Sequence, residues 1–344
     1  MRFGYWMPIF GGWLRNVPDE GMSTDWPYIR ELVGVSERAG FDLTLIAELN
    51  LNDIKGPEAP ALDCWTLAPA VAAVSEHLEL MLAVRPNYHL PTATAKAIST
   101  LDTIAPGRVS LNVVSSWWRE EALQYGAPFD VHDARYSRTE EWLTILGRLL
   151  RERSVTHHGA HYQFEATELE PKPQSPPTVY MGGESPRAKE VITALGDAYV
   201  MHGDAPEVIA EKIADMRRLR AEAGRPPLTF GMAGYVVCRD TEAEARAEVE
   251  RITDVRSSEQ AYASYRDFLA GSQLESHVSL EEYSVSNRGL RAGLVGTPKQ
   301  ITERIRAYER AGVDLLLLQF SPQLEEMAEF GRRVIEPWRS GSGC

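Results

Sequence analysis

Three short stretches hold side chains whose types and spacing suit chemistry. In "MGGESPRAKE" (181–190), Gly182 and Gly183 let the backbone approach a ligand closely, and Ser185 stands where a helix would be capped. With Glu184 between them, the N–H groups of a helix start beside a serine hydroxyl would bind an anion such as a phosphate. The same residues also read as an ordinary strand-to-helix turn with a serine cap. In "SLNVVSSWW" (110–118), Asn112 interrupts an apolar strand pattern. A buried amide left unsatisfied costs roughly 1–3 kcal/mol, so Asn112 needs partners. A polar ligand over the strand would supply them, as would neighbouring backbone or a buried water. In "VHDARYSR" (131–138), Arg135 and Tyr136 stand just before a helix. A guanidinium and a phenol there suit a phosphate or a ring edge, and equally a solvated loop.

Other polar residues follow strand-like runs. Glu48 ends one, Arg85 and His89 follow the next, and Trp117 and Glu121 follow "SLNVVSS". Glu48 and Glu121 could serve as an acid and base pair in a hydrolase or lyase, although no carboxylate motif accompanies them. "THHGAHYQF" holds three histidines within five residues, but strand alternation scatters their faces, so no metal site is expected.

The elements that must position these residues alternate along nearly the whole chain. Strand-like runs "RFGYWMPI", "FDLTLIAE", "LELMLAVRP", "RVSLNVVSS", "TVYMGG", "DAYVMHG", "LTFGMAGYVVCRD" and "VDLLLLQF" are each separated by a helical pattern. Eight βα units predict a parallel sheet closed into a (β/α)8 TIM barrel, with chemistry at the C-terminal ends of the strands. No GxGxxG follows the first strand, which removes the usual support for an open dinucleotide-binding sheet. The expected organisation is one domain, 1–344. A hairpin insertion is expected near 153–177, and irregular residues 254–290 read as a mobile lid.

A net charge of −13, from 36 basic and 49 acidic residues, argues against nucleic acid or an anionic membrane as partner. No apolar run is long enough for a transmembrane helix. Three cysteines without a CxxC pair read as reduced thiols in a cytoplasmic protein.

Several segments together resemble the bacterial-luciferase-like flavin-dependent monooxygenases, in particular the two-component group that uses reduced FMN and acts on sulfones, alkanesulfonates or pyrimidines. They are "RPNYHLPTATAKAISTLD", "GRVSLNVVSSWWREE", "HDARYSRTEEW", "YMGGESPRA", "FGMAGYVVCRDTEAEA" and "GLVGTPKQITERIRAYERAGVDLLLLQF", in order across nearly the whole chain. The resemblance implies a TIM barrel, reduced FMN as a diffusible co-substrate delivered by an NAD(P)H-dependent flavin reductase, O2 as second co-substrate, and a dimer or tetramer. It implies Glu48, Asn112, Glu121, Arg135, Tyr136 and Gly182–Ser185 as flavin contacts. Candidates for catalysis are Arg85, His89, Trp117, Tyr235, Arg288 and Arg291. Ala233 and Tyr235 stand where the alkanesulfonate enzymes carry an arginine and a histidine, and "VVSSWWREE" is closer to the sulfone enzymes. The implied substrate is a small organosulfur compound cleaved at its C–S bond. A heterocyclic or xenobiotic substrate, or a non-catalytic flavin-binding barrel, is the alternative.

Overall fold

A computed structural model describes residues 1–254, 265, 269, 278–285 and 289–341. Arg288 and most of the expected lid lie outside the described residues. The strands are β1 (Arg2–Trp6), β2 (Leu43–Ile46), β3 (Glu79–Val84), β4 (Val109–Val113), β5 (Ser154–His158), β6 (Gln163–Glu168), β7 (Thr178–Gly182), β8 (Ala198–Met201), β9 (Thr229–Cys238), β10 (Leu294–Gly296) and β11 (Leu315–Gln319). Eight of them pair in parallel in the order β11-β1-β2-β3-β4-β7-β8-β9, and β9 pairs with β11 to close the ring. This is the expected (β/α)8 barrel. The sequence patterns miss β10, which adds three residues beside the far end of β9, and the short helix α4.

The helices are α1 (Trp26–Arg38), α2 (Cys64–Val74), α3 (Pro91–Ile104), α4 (Arg119–Gln124), α5 (His132–Leu149), α6 (Pro186–Leu195), α7 (Pro206–Glu222) and α8 (Glu242–Ile252), with further helices at Pro298–Ala311 and Gln323–Phe330. Local chemistry starts several of them. The Asp25 carboxylate accepts from the Tyr28 amide at 2.9 Å, Pro91 opens α3, and Thr297 with Gln300 forms a capping box. None of the described helices is long and apolar enough to cross a membrane.

Inside the barrel, Leu43 and Leu317 crowd against Gly4, where a Cβ would stand 2.9 and 3.0 Å from their methyl groups. Below them the N-terminal end is drawn together by Arg2, which donates to Glu79 at 2.6 Å and to the Tyr180 hydroxyl at 3.4 Å. After Phe330 the chain makes a π turn, Gly331–Ile335, that lies on the end of α1. A Cβ on Gly331 would come within 2.7 Å of the Ala39 carbonyl oxygen and 2.8 Å of its Cα, both backbone atoms with little room to yield. Gly331→Ala is therefore expected to destabilise the fold by roughly 1–3 kcal/mol, read by chemical denaturation.

β5 and β6 form an antiparallel hairpin outside the barrel. Its histidines diverge: His157 pairs with Glu141 at 3.0 Å and His158 with Glu165 at 2.9 Å. No group of three possible metal ligands occurs among the described residues.

Candidate functional site

At the C-terminal ends of the strands lies a cavity of about 320 Å³. Every barrel strand contributes to its wall: Trp6, Leu45, Ala83, Asn112, Gly182, Val200, Ala233 and Gln319, taken from β1, β2, β3, β4, β7, β8, β9 and β11. Period-two alternation brings this about, because these residues point inward while neighbours such as Leu111 and Val113 are buried beneath the helices. The small residues Ala83, Gly182 and Ala233 leave the space.

Asn112 is half-buried on this wall, and its carboxamide has no hydrogen-bond partner in the protein among the described residues. Beyond β4 the chain turns through Ser116, whose left-handed backbone (φ 55°) is rare for serine. Ser115 bonds the Thr139 hydroxyl at 2.9 Å. Trp117 and Trp118 stack with ring planes 6° apart, and they divide the work: Trp117 lines the cavity while Trp118 is buried beside it.

One end of the cavity is built for an anion. The Ser185 side chain caps α6 by accepting from the Ala188 amide at 3.2 Å, and the Tyr136 hydroxyl reaches Ser185. Gly183 is held with φ 149°, and a Cβ there would stand 3.0 Å from the Tyr136 oxygen and 2.6 Å from the Ala188 Cβ, so only glycine fits. Glu184 turns away to pair with Lys212 at 2.9 Å, leaving its backbone at the turn. Arg135 also lines the cavity, its guanidinium 4.6 Å over the Phe129 ring. Among the described residues no ion pair holds that guanidinium, and its Nε is buried without a hydrogen bond. Burial pulls Arg135 below the ordinary arginine value, with Tyr136 and Asp130 opposing, yet an arginine stays charged. A half-buried cation beside a helix start, a capping hydroxyl and a glycine turn fits a phosphate.

A second polar group pins Arg85. It is 1% exposed and is clamped by Glu121, which it bonds through Nη1 and, at 3.1 Å, through Nη2. Glu121 also accepts from the Tyr88 hydroxyl at 3.2 Å and from the Asn50 amide. On the other side the Glu48 carboxylate accepts from the Arg85 amide at 2.7 Å and bonds His89 Nε2. Arg85 and Glu48 face the cavity. Glu121, expected as a direct flavin contact, does not. It begins α4 fully buried behind Arg85, and its oxygens are engaged by protein donors. His89 likewise stands behind Glu48 rather than on the wall. Tyr235 is 1% exposed and off the wall; burial pushes its hydroxyl up, opposed by a bond to Ser321. Arg291 is held by Glu282, with Nη2–Oε2 at 2.7 Å, away from the cavity.

The wall also contains residues that motif reading passed over. Arg15 and Asp53 form an ion pair of 3.0 Å, and Phe10, Trp13 and Ile54 stand near them on the lining. Burial pushes the Asp53 carboxyl up, while Arg15 pulls it back. Their only signal in the sequence is position, in the loops that follow β1 and β2.

The chain is similar to known proteins over nearly its whole length. The profile of the luciferase-like monooxygenases matches residues 1–315. The chain is 32% identical to an FMNH2-dependent dimethylsulfone monooxygenase of Pseudomonas putida, over 97% of this chain and 94% of that protein. It is 32% identical to the protein of that name from Pseudomonas fluorescens strain Pf0-1, over 97% and 93%. In fold it superposes on a long-chain alkane monooxygenase with a TM-score of 0.84 at 22% identity, covering 99% of this chain and 92% of the other.

Proposed function

Because the chain belongs to the luciferase-like monooxygenase family, we propose that it is a reduced-FMN-dependent monooxygenase that oxygenates a small organosulfur compound and cleaves its C–S bond. The observation that carries this is that one cavity is lined both by Arg135, whose buried Nε has no hydrogen bond, at the Ser185 turn and by the Asn112 amide on the wall. One suits a phosphate and the other the polar edge of a flat ring. Reduced flavin supplies an electron pair and activates O2. For dimethyl sulfone, one O2 and the two electrons and two protons of reduced flavin yield methanesulfinic acid, formaldehyde, water and oxidised flavin.

The protein's part is positioning and exclusion of water. Arg135, Tyr136, Ser185 and the backbone of Gly182–Glu184 would hold the phosphate, and Asn112 the ring edge. Trp6, Trp13 and Trp117 close apolar walls around the reacting carbon. Glu48, backed by His89, is a wall carboxylate able to hold or move a proton. Arg85 is too tightly pinned to swing and acts by fixing Glu48.

A separate NAD(P)H-dependent flavin reductase supplies the reduced FMN in this reading. The enzyme works in the cytoplasm as a homo-oligomer, for which exposed Leu123, Tyr125 and Val131 offer apolar surface. The test is anaerobic titration with reduced and oxidised FMN, then admission of O2 with dimethyl sulfone and assay of sulfinate and formaldehyde. Tighter binding of reduced FMN and O2-dependent product are expected; absence of flavin binding overturns the reading. As a local check, Ser185→Ala should weaken FMN binding by roughly 1–2 kcal/mol in equilibrium titration. An unchanged affinity would reduce Ser185 to a helix cap.

A further inference from the structure

The loops after β1 and β2 carry a buried ion pair that nothing above employs. Arg15 and Asp53 are 6% and 9% exposed, joined at 3.0 Å, and both face the cavity. Arg15 is fixed in place: it donates to the Tyr283 carbonyl at 2.8 Å, and its guanidinium lies 3.8 Å over the Tyr283 ring. In the closed strand order β1 is four places and β2 three places from β7, so the loops that carry the pair leave the barrel on the side away from the Gly182–Ser185 turn. With a phosphate held at that turn, the end beside Arg15, Trp6, Phe10 and Trp13 is where a small substrate fits.

Charge bookkeeping at this end is informative. Arg15 is matched by Asp53, and Arg85 by two carboxylates, Glu48 and Glu121. Arg135, which forms no ion pair among the described residues, belongs to the opposite, phosphate-binding end. Among the described residues, an incoming anion would thus be buried here with no unpaired arginine to meet it, which is costly in a low-dielectric site. A neutral molecule with strongly polar oxygens faces no such cost and can accept from the Arg15 fork.

We propose that Asp53, by neutralising Arg15, makes the substrate end select neutral sulfones over anionic sulfonates. This rests on the monooxygenase reading above. Asp53 is a specificity residue acting through Arg15, whose guanidinium meets the sulfonyl oxygens.

Asp53→Asn keeps the shape and removes the negative charge, so it tests the idea directly. Binding of dimethyl sulfone and methanesulfonate to the wild type and the variant is measured by calorimetry, with and without oxidised FMN, beside FMN affinity itself. The wild type should favour the sulfone, and Asp53→Asn should shift the sulfonate-to-sulfone affinity ratio toward sulfonate by about 10-fold or more, with FMN affinity unchanged. An unshifted ratio in a variant that still binds FMN overturns the proposal. A wild type that binds no FMN defeats the monooxygenase reading instead, while the ratio measured without FMN still judges the pair. Should Asp53→Asn fold poorly, the double variant Arg15→Gln/Asp53→Asn restores a neutral wall. It should lose affinity for the sulfone without gaining any for the sulfonate; a gain would overturn the proposal.

Discussion

Replacing Arg135 by methionine is expected to weaken FMN binding about 10- to 100-fold while leaving riboflavin binding unchanged. Hydrogen bonds to charged groups contribute roughly 1.5–3 kcal/mol, which is that range in affinity. Arg135 is well placed to deliver it, because its guanidinium is already half desolvated and forms no ion pair among the described residues. Part of the cost of burying the charge is therefore met on folding and returned when an anion arrives. Methionine keeps the length and the contact with Phe129 but removes the charge. Riboflavin lacks the phosphate, so it separates loss of that contact from general damage to the cavity. Equal weakening for both flavins, measured by fluorescence titration, would place the phosphate elsewhere.

The largest stability effect is expected from Glu121→Ala, a loss of roughly 3–5 kcal/mol read by denaturant unfolding. Glu121 is wholly buried and accepts from Arg85, Tyr88 and the Asn50 amide, so its removal strands three donors. Arg85 keeps Glu48 but loses the partner that held its fork. Replacing both members, as in Arg85→Met/Glu121→Leu, should recover much of the loss, since apolar substitutes for a buried ion pair are often neutral or stabilising. FMN affinity of the folded Glu121→Ala protein should fall only slightly, because Arg85 and Glu48 stand between Glu121 and the cavity. A loss of flavin affinity as large as that of Arg135→Met would restore Glu121 as a direct contact.

The parts of the site visible in the sequence were those carried by backbone and periodicity. Gly182–Ser185 reads as a ligand turn because glycines and a cap residue have few other uses at a strand-to-helix junction. Asn112 stands out because an amide breaks an apolar alternation. The barrel follows from eight strand runs whose apolar content needs no partner to be recognised. Side chains defined by remote partners were harder to see. Arg15 and Asp53 lie 38 positions apart, and neither loop carries a pattern that joins them. Glu121 was drawn to the ligand by its place after β4, whereas α4, only six residues long, rotates it toward Arg85. β10, at three residues, is too short to show alternation.

The filled lower half of the barrel has a kinetic consequence. Leu43, Met81 and Leu317 are completely shielded beneath the cavity, and Arg2, Glu79 and Tyr180 knit the far end together. Nothing passes through the barrel axis, so the chamber is a dead end. Traffic in a blind chamber is a stack: whatever sits deeper must arrive first and depart last. Flavin, substrate and products therefore share one mouth, and an occupant seated there blocks exchange of anything deeper until it leaves.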